Sequence, residues 1–347
     1  AEQSRHLCGQ TLSTPQAHSM MQWLHQLPRH WHTSSALTCL LWPLEVLYKI
    51  TLGLRRVVYS LGWVRTHRLD ATVIVVGNVV AGGGGKTPLT IAMVQRLKQQ
   101  GYKVGVVSRG YGRLSQQIQM VNAESTADQV GDEPLLIFQR CHVPVAVGAK
   151  RVDAAQHLLA QHPEVKLIVC DDGLQHWALQ RDIEVCVMDA MGIGNGHLLP
   201  AGPLREAWPR QVDLLLHTQH RTLTEGFEST RQLSPVAINA DGISVPLTEL
   251  QAQEVEVVCG IAKPEAFANM LKACNIRIAH FTALPDHHPL TDWHAHRPEL
   301  KLLCTEKDAV KLWPHHPKAF AVPLLFEPEM SFWQTFDALV KARHRYH

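Results

Sequence analysis

The chain has 347 residues, 46% hydrophobic and 18% charged, with a formal net charge of +2. That length supports one large or two ordinary domains with a buried core. The near balance of charge excludes the strongly basic face of a nucleic-acid-binding protein.

The eight cysteines form no C-x-x-C pair and sit mostly inside apolar runs, the usage expected of reduced thiols in a cytosolic protein. The 22 histidines are dispersed without zinc-ligand spacing, so a structural metal site is not expected. Residues 1–35 read as an extension outside the fold. They carry no basic start followed by an apolar core and a small-residue cleavage site, and the pattern changes after Met20 and Met21.

Residues 36–63, ALTCLLWPLEVLYKITLGLRRVVYSLGW, are rich in Leu, Val, Trp and Tyr. Pro43, Glu45, Lys49, Arg55 and Arg56 interrupt the roughly 20 apolar residues that a bilayer span requires. The reading is an amphipathic helix lying in a membrane interface, with Trp42 and Trp63 as anchors; the alternative is a helix packed on its own core. We place this interfacial region at residues 36–66.

The run ATVIVVG at residues 71–77 predicts a strand buried on both faces of a parallel sheet. A glycine loop follows, then a helix over 89–100 and a strand over 103–108. The alternation continues: helix 134–141, strand 143–147, helix 151–161, strand 165–170 and strand 183–189. Alternation of this kind predicts an α/β fold, a doubly wound, mostly parallel sheet with right-handed crossovers. Around residues 219–234 the sequence turns polar, which places a domain joint there or shortly after. A smaller α/β set follows, with strands at 256–259, 276–281 and 300–304 and helices at 264–274 and 330–342. The division is therefore a core domain over 67–235 and a C-terminal α/β domain over 236–347.

Strand, glycine loop and helix in that order are the context of a P-loop. Here the loop reads Val80, Ala81, Gly82, Gly83, Gly84, Gly85, Lys86 and Thr87. Glycines let backbone amides turn toward phosphates, and the helix N-terminus adds partial positive charge. Lys86 is expected on the β- and γ-phosphates and the Thr87 hydroxyl on Mg²⁺. Val80 stands where the pattern G-x-x-x-x-G-K-[ST] has its first glycine. A flexible turn before a helix would look similar, and a dinucleotide fold would not place Lys-Thr at the helix start.

Strand 165–170 runs into Asp171, Asp172 and Gly173, the second half of a P-loop site, although Asp-Asp-Gly is also a common turn. Asp132 and Pro134 read on their own as helix-start grammar, with Asp132 as N-cap. The loop Asp286, His287, His288 reads either as hydrogen-bonded surface or as part of a proton relay. Thr305 to Asp308 lack the spacing of a guanine-reading motif.

The series GNVVAGGGGKTP, SRGYGR, GDEP, DDGLQH, GNGHLLPAGPLRE, PDHHP and TEKDAVK resembles the tetraacyldisaccharide 4′-kinases of lipid A biosynthesis, from about residue 71 to 311. The resemblance implies transfer of the γ-phosphoryl of ATP to the 4′-hydroxyl of a tetraacylated glucosamine disaccharide 1-phosphate. It implies ATP and Mg²⁺ as cofactors, a lipid substrate, and a peripheral seat at the cytoplasmic face of a bacterial inner membrane. No nucleic acid and no obligate protein partner are implied. By resemblance, Asp132 and His287 deprotonate the sugar hydroxyl, with His288 not separated from His287. Asp171, Asp172, Thr87 and Glu206 lie on the metal side, and Gln175, His176, Arg205, Tyr111 and Arg151 near phosphates or sugar. Gly84 departs from the small polar residue usual in such loops. Two rival functions are a membrane-associated P-loop ATPase acting as a switch and a soluble small-molecule kinase.

Overall fold

The computed structural model describes residues 31–82, 84–220, 223 and 225–344. Gly83 and most of the expected N-terminal extension lie outside the described residues.

The first described helix, α1 (Ala36–Ser60), runs through Pro43 without a break. The expectation that its charges rule out a span by composition fails, because the helix is long and apolar enough to cross a membrane. Its polar residues show why it instead lies along the protein. Glu45 accepts from the Leu198 amide at 2.9 Å and meets His197 Nδ1 at 2.7 Å. The Tyr48 hydroxyl donates to the Arg205 carbonyl at 2.8 Å, and Arg55 to the Gln175 carbonyl at 2.7 Å. The opposite side leaves Leu40, Trp42, Leu47, Ile50 and Leu54 each more than half exposed.

The core begins with β1 (Thr72–Gly77), buried at every position. It leads through the glycine loop into α2 (Lys86–Gln99), which starts three residues earlier than its apolar periodicity indicates. Then come β2 (Val104–Ser108), β3 (Gln119–Met120), α3 (Ala127–Val130), α4 (Asp132–Cys141), β4 (Val145–Val147) and α5 (Arg151–Gln161). β5 (Leu167–Cys170), β6 (Ile183–Met188), β7 (Leu214–His217) and β8 (Phe227–Leu233) complete this run. Nine strands form one sheet in the order β15-β8-β7-β6-β1-β5-β2-β4-β3, parallel from β4 to β8. The phosphate loop leaves the carboxyl end of central strand β1, and Asp171 leaves that of its neighbour β5.

A second sheet of six strands holds β9 (Val236–Ile238), β10 (Ser244–Pro246), β11 (Glu254–Cys259), β12 (Arg277–Ala283), β13 (Lys301–Thr305) and β14 (Phe320–Val322). Its helices are α6 (Leu247–Leu250), α7 (Pro264–Ala273) and α8 (Glu306–Leu312). The chain then returns to the first sheet. β15 (Leu324–Pro328) pairs antiparallel with β8, and α9 (Met330–Arg343) buries Phe332, Phe336 and Val340 in that sheet's core.

This differs from the expected division in two respects. The polar stretch at 219–234 contains β8, an integral strand of the first sheet where no strand was expected; the passage to the second sheet follows it, between β8 and β9. The final strand and helix belong to the first sheet although the second precedes them in sequence. β8 escapes a hydropathy reading because its inward face carries Ser229 and Arg231 as well as Leu233.

Because α9 seals the first sheet, truncating Phe336, fully buried at 0% exposure, should destabilise the protein as a core deletion does. We expect Phe336→Ala to cost about 3–5 kcal/mol in urea unfolding. A loss under about 1 kcal/mol, the range of surface changes, would show that the helix is not part of the core.

Candidate active site

The stem of the phosphate loop is stapled before the glycines begin. The Ala81 amide donates to the Pro203 carbonyl and the Arg205 amide to the Val79 carbonyl, both at 2.7 Å, and Val80 bridges Leu204. Val80 is 2% exposed and packs in the apolar core. A valine suits this position because the backbone here pairs with another segment and does not bend round a ligand. Val80 and Ala81, expected on the nucleotide, thus form the stem. Gly82, Gly84, Gly85, Lys86 and Thr87 line a cleft of about 1170 Å³.

Gly85 caps α2 in the left-handed region at φ 84°, which only glycine adopts freely. Asn78 braces the loop from within: its Nδ2 donates to the Gly82 carbonyl at 3.3 Å, and its Oδ1 accepts from Lys86 Nζ at 3.5 Å. A Cβ at Gly84 would come within 3.1 Å of Asn78 Nδ2, so glycine there leaves the brace room.

Behind Lys86 stand the paired aspartates. Asp172 faces the cleft, 3.6 Å from Lys86 Nζ and 3.1 Å from Arg205 Nη1. Burial would raise its pKa, but Lys86 and Arg205 outweigh that and hold it below the usual range. Asp171 is buried and accepts from the Thr90 hydroxyl at 2.9 Å. Burial, then the charges of Glu133 and Asp172, push its pKa up. A buried carboxylate whose ionisation is opposed by two acidic neighbours beside the loop fits a divalent cation. Among the described residues no three metal-ligating side chains converge. An ion here would therefore share its coordination with phosphates, as Mg²⁺ characteristically does.

Glu206, expected among the metal-side carboxylates, is placed differently. It accepts from Gln175 Nε2 at 2.7 Å and is paired with Arg210 at 2.7 Å. Its charge is satisfied away from the cleft, and it positions Gln175, which also donates to the Asn78 carbonyl at 3.0 Å. Arg151 is 2% exposed and donates to the backbone carbonyls of Gly148 and Asp171. His176 lines the cleft, where burial and then Arg151 and Arg109 lower its pKa to about 4.

The opposite wall brings residues of the second sheet onto α4. Asp132 is the first residue of that helix, not its cap; Gly131 occupies the cap position. The carboxylate, freed from capping, meets His287 Nδ1 at 3.0 Å and Lys311 Nζ at 3.3 Å. His288 is turned away and accepts the Leu290 amide through Nδ1. Lys307 Nζ lies 3.3 Å from His287 Nε2. An ammonium only donates, so Nε2 accepts and Nδ1 carries the proton toward Asp132. Burial alone would raise the Asp132 pKa; the His287 hydrogen bond and the charges of Lys307 and Lys311 hold it well below the carboxylate range. Burial would lower the Lys307 pKa, and Glu133, Asp286 and Asp132 raise it instead. His287 sits at φ 62°, an uncommon backbone for a residue other than glycine. The Tyr111 ring tilts against its imidazole at a centroid distance of 5.0 Å.

The structure thus brings the loop, Asp172 and His287 round one cleft, with Asp171 buried behind Asp172 and Asp132 behind His287, and with Tyr48, Leu52 and Arg55 of α1 forming part of the wall. Sequence reasoning missed Asn78, Lys307 and Lys311 as site residues. Lys307 and Lys311 are one helical turn apart on α8, an i, i+4 pair that could have marked them.

A glycine loop at the head of a helix, an acidic strand end beside it and a carboxylate-histidine pair across the cleft define a P-loop phosphotransferase. The family model for tetraacyldisaccharide-1-P 4′-kinase matches residues 37–344. A tetraacyldisaccharide 4′-kinase of Polaromonas naphthalenivorans is 48% identical over 324 residues, 90% of this chain and 94% of that one. The enzyme of the same name from Verminephrobacter eiseniae is 45% identical over 327 residues, 92% of this chain and 76% of that one. The solved structure of LpxK from Aquifex aeolicus in complex with ATP superposes with a TM-score of 0.78 at 28% identity, covering 89% of this chain and all of that one. The chain belongs to the tetraacyldisaccharide 4′-kinase family and is an ATP-dependent kinase.

The low His176 pKa has a thermodynamic consequence. An unfolded histidine takes up its proton near pH 6.5 and the folded one only near 4. Its contribution is therefore complete above pH 6.5 and is lost as pH falls through that window. Between pH 7.5 and 5 the wild type should lose more stability than His176→Gln, read by urea unfolding at each pH. Parallel losses would contradict the burial of a neutral imidazole.

Proposed function

We propose that Asp132 receives the proton of the acceptor 4′-hydroxyl while Lys86 and the loop amides hold the γ-phosphoryl of ATP. The observation that carries this reading is that His287, which lines the same cleft as Lys86, holds the Asp132 carboxylate at 3.0 Å. The hydroxyl oxygen forms the new P–O bond, the bond to the β-phosphate oxygen breaks, and the proton passes to the Asp132 carboxylate. A carboxylate with so low a pKa is a weak base. Phosphoryl transfer through a loose transition state asks mainly for an oriented hydroxyl and a late proton acceptor. His287, donating from Nδ1, fixes the carboxylate's orientation, and Lys307 fixes the tautomer. Mg²⁺, held by Thr87 and Asp172 with Asp171 behind, would spread the negative charge of the β- and γ-phosphates. Arg205 stands with Asp172 on the phosphate side, Gln175, His176 and Tyr111 line the cleft near the phosphates or the sugar, and Arg151 holds the Asp171–Asp172 backbone.

The acceptor on this reading is a glucosamine disaccharide 1-phosphate whose four acyl chains stay in the membrane. α1 supplies the seat: its outward face is apolar and exposed, while Tyr48 and Arg55 on its inward face line the cleft. A lipid held at that face presents its sugar to the loop without leaving the bilayer. This places the enzyme peripherally at the cytoplasmic face of the inner membrane, where ATP is available.

Two measurements test the reading. With γ-labelled ATP and the lipid in detergent, Lys86→Ala should abolish labelled lipid, and Asp132→Asn should lower turnover about 10²–10⁴-fold with ATP binding retained. Near-normal turnover in Asp132→Asn removes the base assignment, and label appearing only as free phosphate favours the ATPase switch. For the seat, Leu47→Glu with Leu54→Glu should abolish co-flotation with anionic vesicles while leaving ATP binding intact. Unchanged flotation would make α1 a wall of the site and nothing more.

A further inference from the structure

Arg231 entered no part of the sequence reading, yet it lies against the phosphate loop. It stands on β8, where residues alternate between faces. Ser229 and Leu233 on its own face are buried, while Thr230 and Gln232 are exposed. The side chain lines the same cleft as Lys86. A Cβ placed on Gly85 would fall 2.1 Å from Arg231 Nη2, so the guanidinium approaches as closely as it does because residue 85 is glycine.

A guanidinium removed from water calls for acceptors or a counter-charge. Arg231 Nε is buried with no hydrogen-bond partner. Asp189 is the one carboxylate with a sensible influence on it, and burial outweighs that influence. The Asp189 carboxylate is already engaged: Oδ2 by Lys263 Nζ at 2.7 Å and Oδ1 by the Met191 amide at 3.0 Å. What supports the guanidinium is the Phe326 ring, 5.6 Å from Cζ, a contact that aligns the group without neutralising it. A second buried and unpartnered polar atom, Thr218 Oγ1, belongs to a residue that also packs on Gly85.

We infer that Arg231 is a second phosphate-binding cation of this kinase, taking the triphosphate of the nucleotide over the last glycine of the loop alongside Lys86. The inference rests on the loop being the nucleotide site. Its chemistry follows from the fork of the guanidinium, which offers two parallel donors to one phosphate group where Lys86 offers a point charge. The acceptor's own phosphate is the competing anion. Proximity to Gly85 and to the amino end of α2 assigns Arg231 to the donor nucleotide.

The test uses the full chain in detergent. ATP, ADP and adenosine affinities are measured by competition against a fluorescent nucleotide, beside the melting temperature and the KM for lipid. Arg231→Ala should weaken ATP about 10–100-fold, the range of a lost charge-assisted hydrogen bond, and leave adenosine and the lipid KM unchanged. Arg231→Lys should recover part of the loss. Should the alanine variant fail to fold, Arg231→Gln keeps a polar stem and should show the same loss. A variant that melts normally and binds ATP within twofold of wild type overturns the inference, as does a change confined to the lipid KM. Wild-type transfer of label to lipid with unaltered ATP binding in the variants sinks only Arg231. Label reaching only free phosphate in wild type, with weakened ATP in the variants, sinks the acceptor assignment and leaves Arg231 standing.

Discussion

Asp132 is 5% exposed, and a carboxylate so far out of water must be met by donors and cations. None of those it has comes from its own sheet. His287 arrives on the loop after β12, and Lys311, with Lys307 beside it, arrives on α8. The charge of one aspartate therefore fixes how the second sheet sits on the first. Lys307 with Glu133 and Arg140 with Glu306 carry the same seam outward along α4 and α8. The groups proposed to act on the acceptor and the joint between the layers are one set of ion pairs.

That arrangement explains why the chain doubles back. With β15 paired to β8 and α9 sealed into the first core, the second sheet is an excursion anchored at both ends in the first. An insertion held at both ends, and tied to α4 between them, keeps its place over the cleft. β8 and β15 form the anchor strands, and their cleft side carries Arg231 and Phe326.

Much of the first sheet was legible because parallel strands buried on both faces write continuous apolar runs, as ATVIVVG and LIVC do. The loop was legible because glycine, lysine and threonine have few other reasons to stand in that order. β8 was not, since an inward face of Ser229, Arg231 and Leu233 reads as polar until the cleft it faces is known. For Asp132, helix-start grammar favoured a cap. Local sequence cannot reveal that His287, 155 positions away, claims the carboxylate. Glu206 was put on the metal side by the resemblance alone, and only the positions of Arg210 and Gln175 show its charge already spent.

Charge is sorted across the cleft. Lys86, Arg205 and Arg231 stand on the loop side; Lys86 and Arg205 are paired with Asp172, while burial and the charges of Glu133 and Asp172 press Asp171. Among the described residues, the cation left without a counter-charge on that side is Arg231. On the acceptor side, Asp132 with Lys311 and His287 is already satisfied. The donor half is thus built to be completed by its ligand, and the acceptor half to be preorganised before the hydroxyl reaches it. On the proposed function, a nucleotide phosphate would give Arg231 the counter-charge it lacks, whereas the carboxylate proposed to take the acceptor's proton needs no further partner.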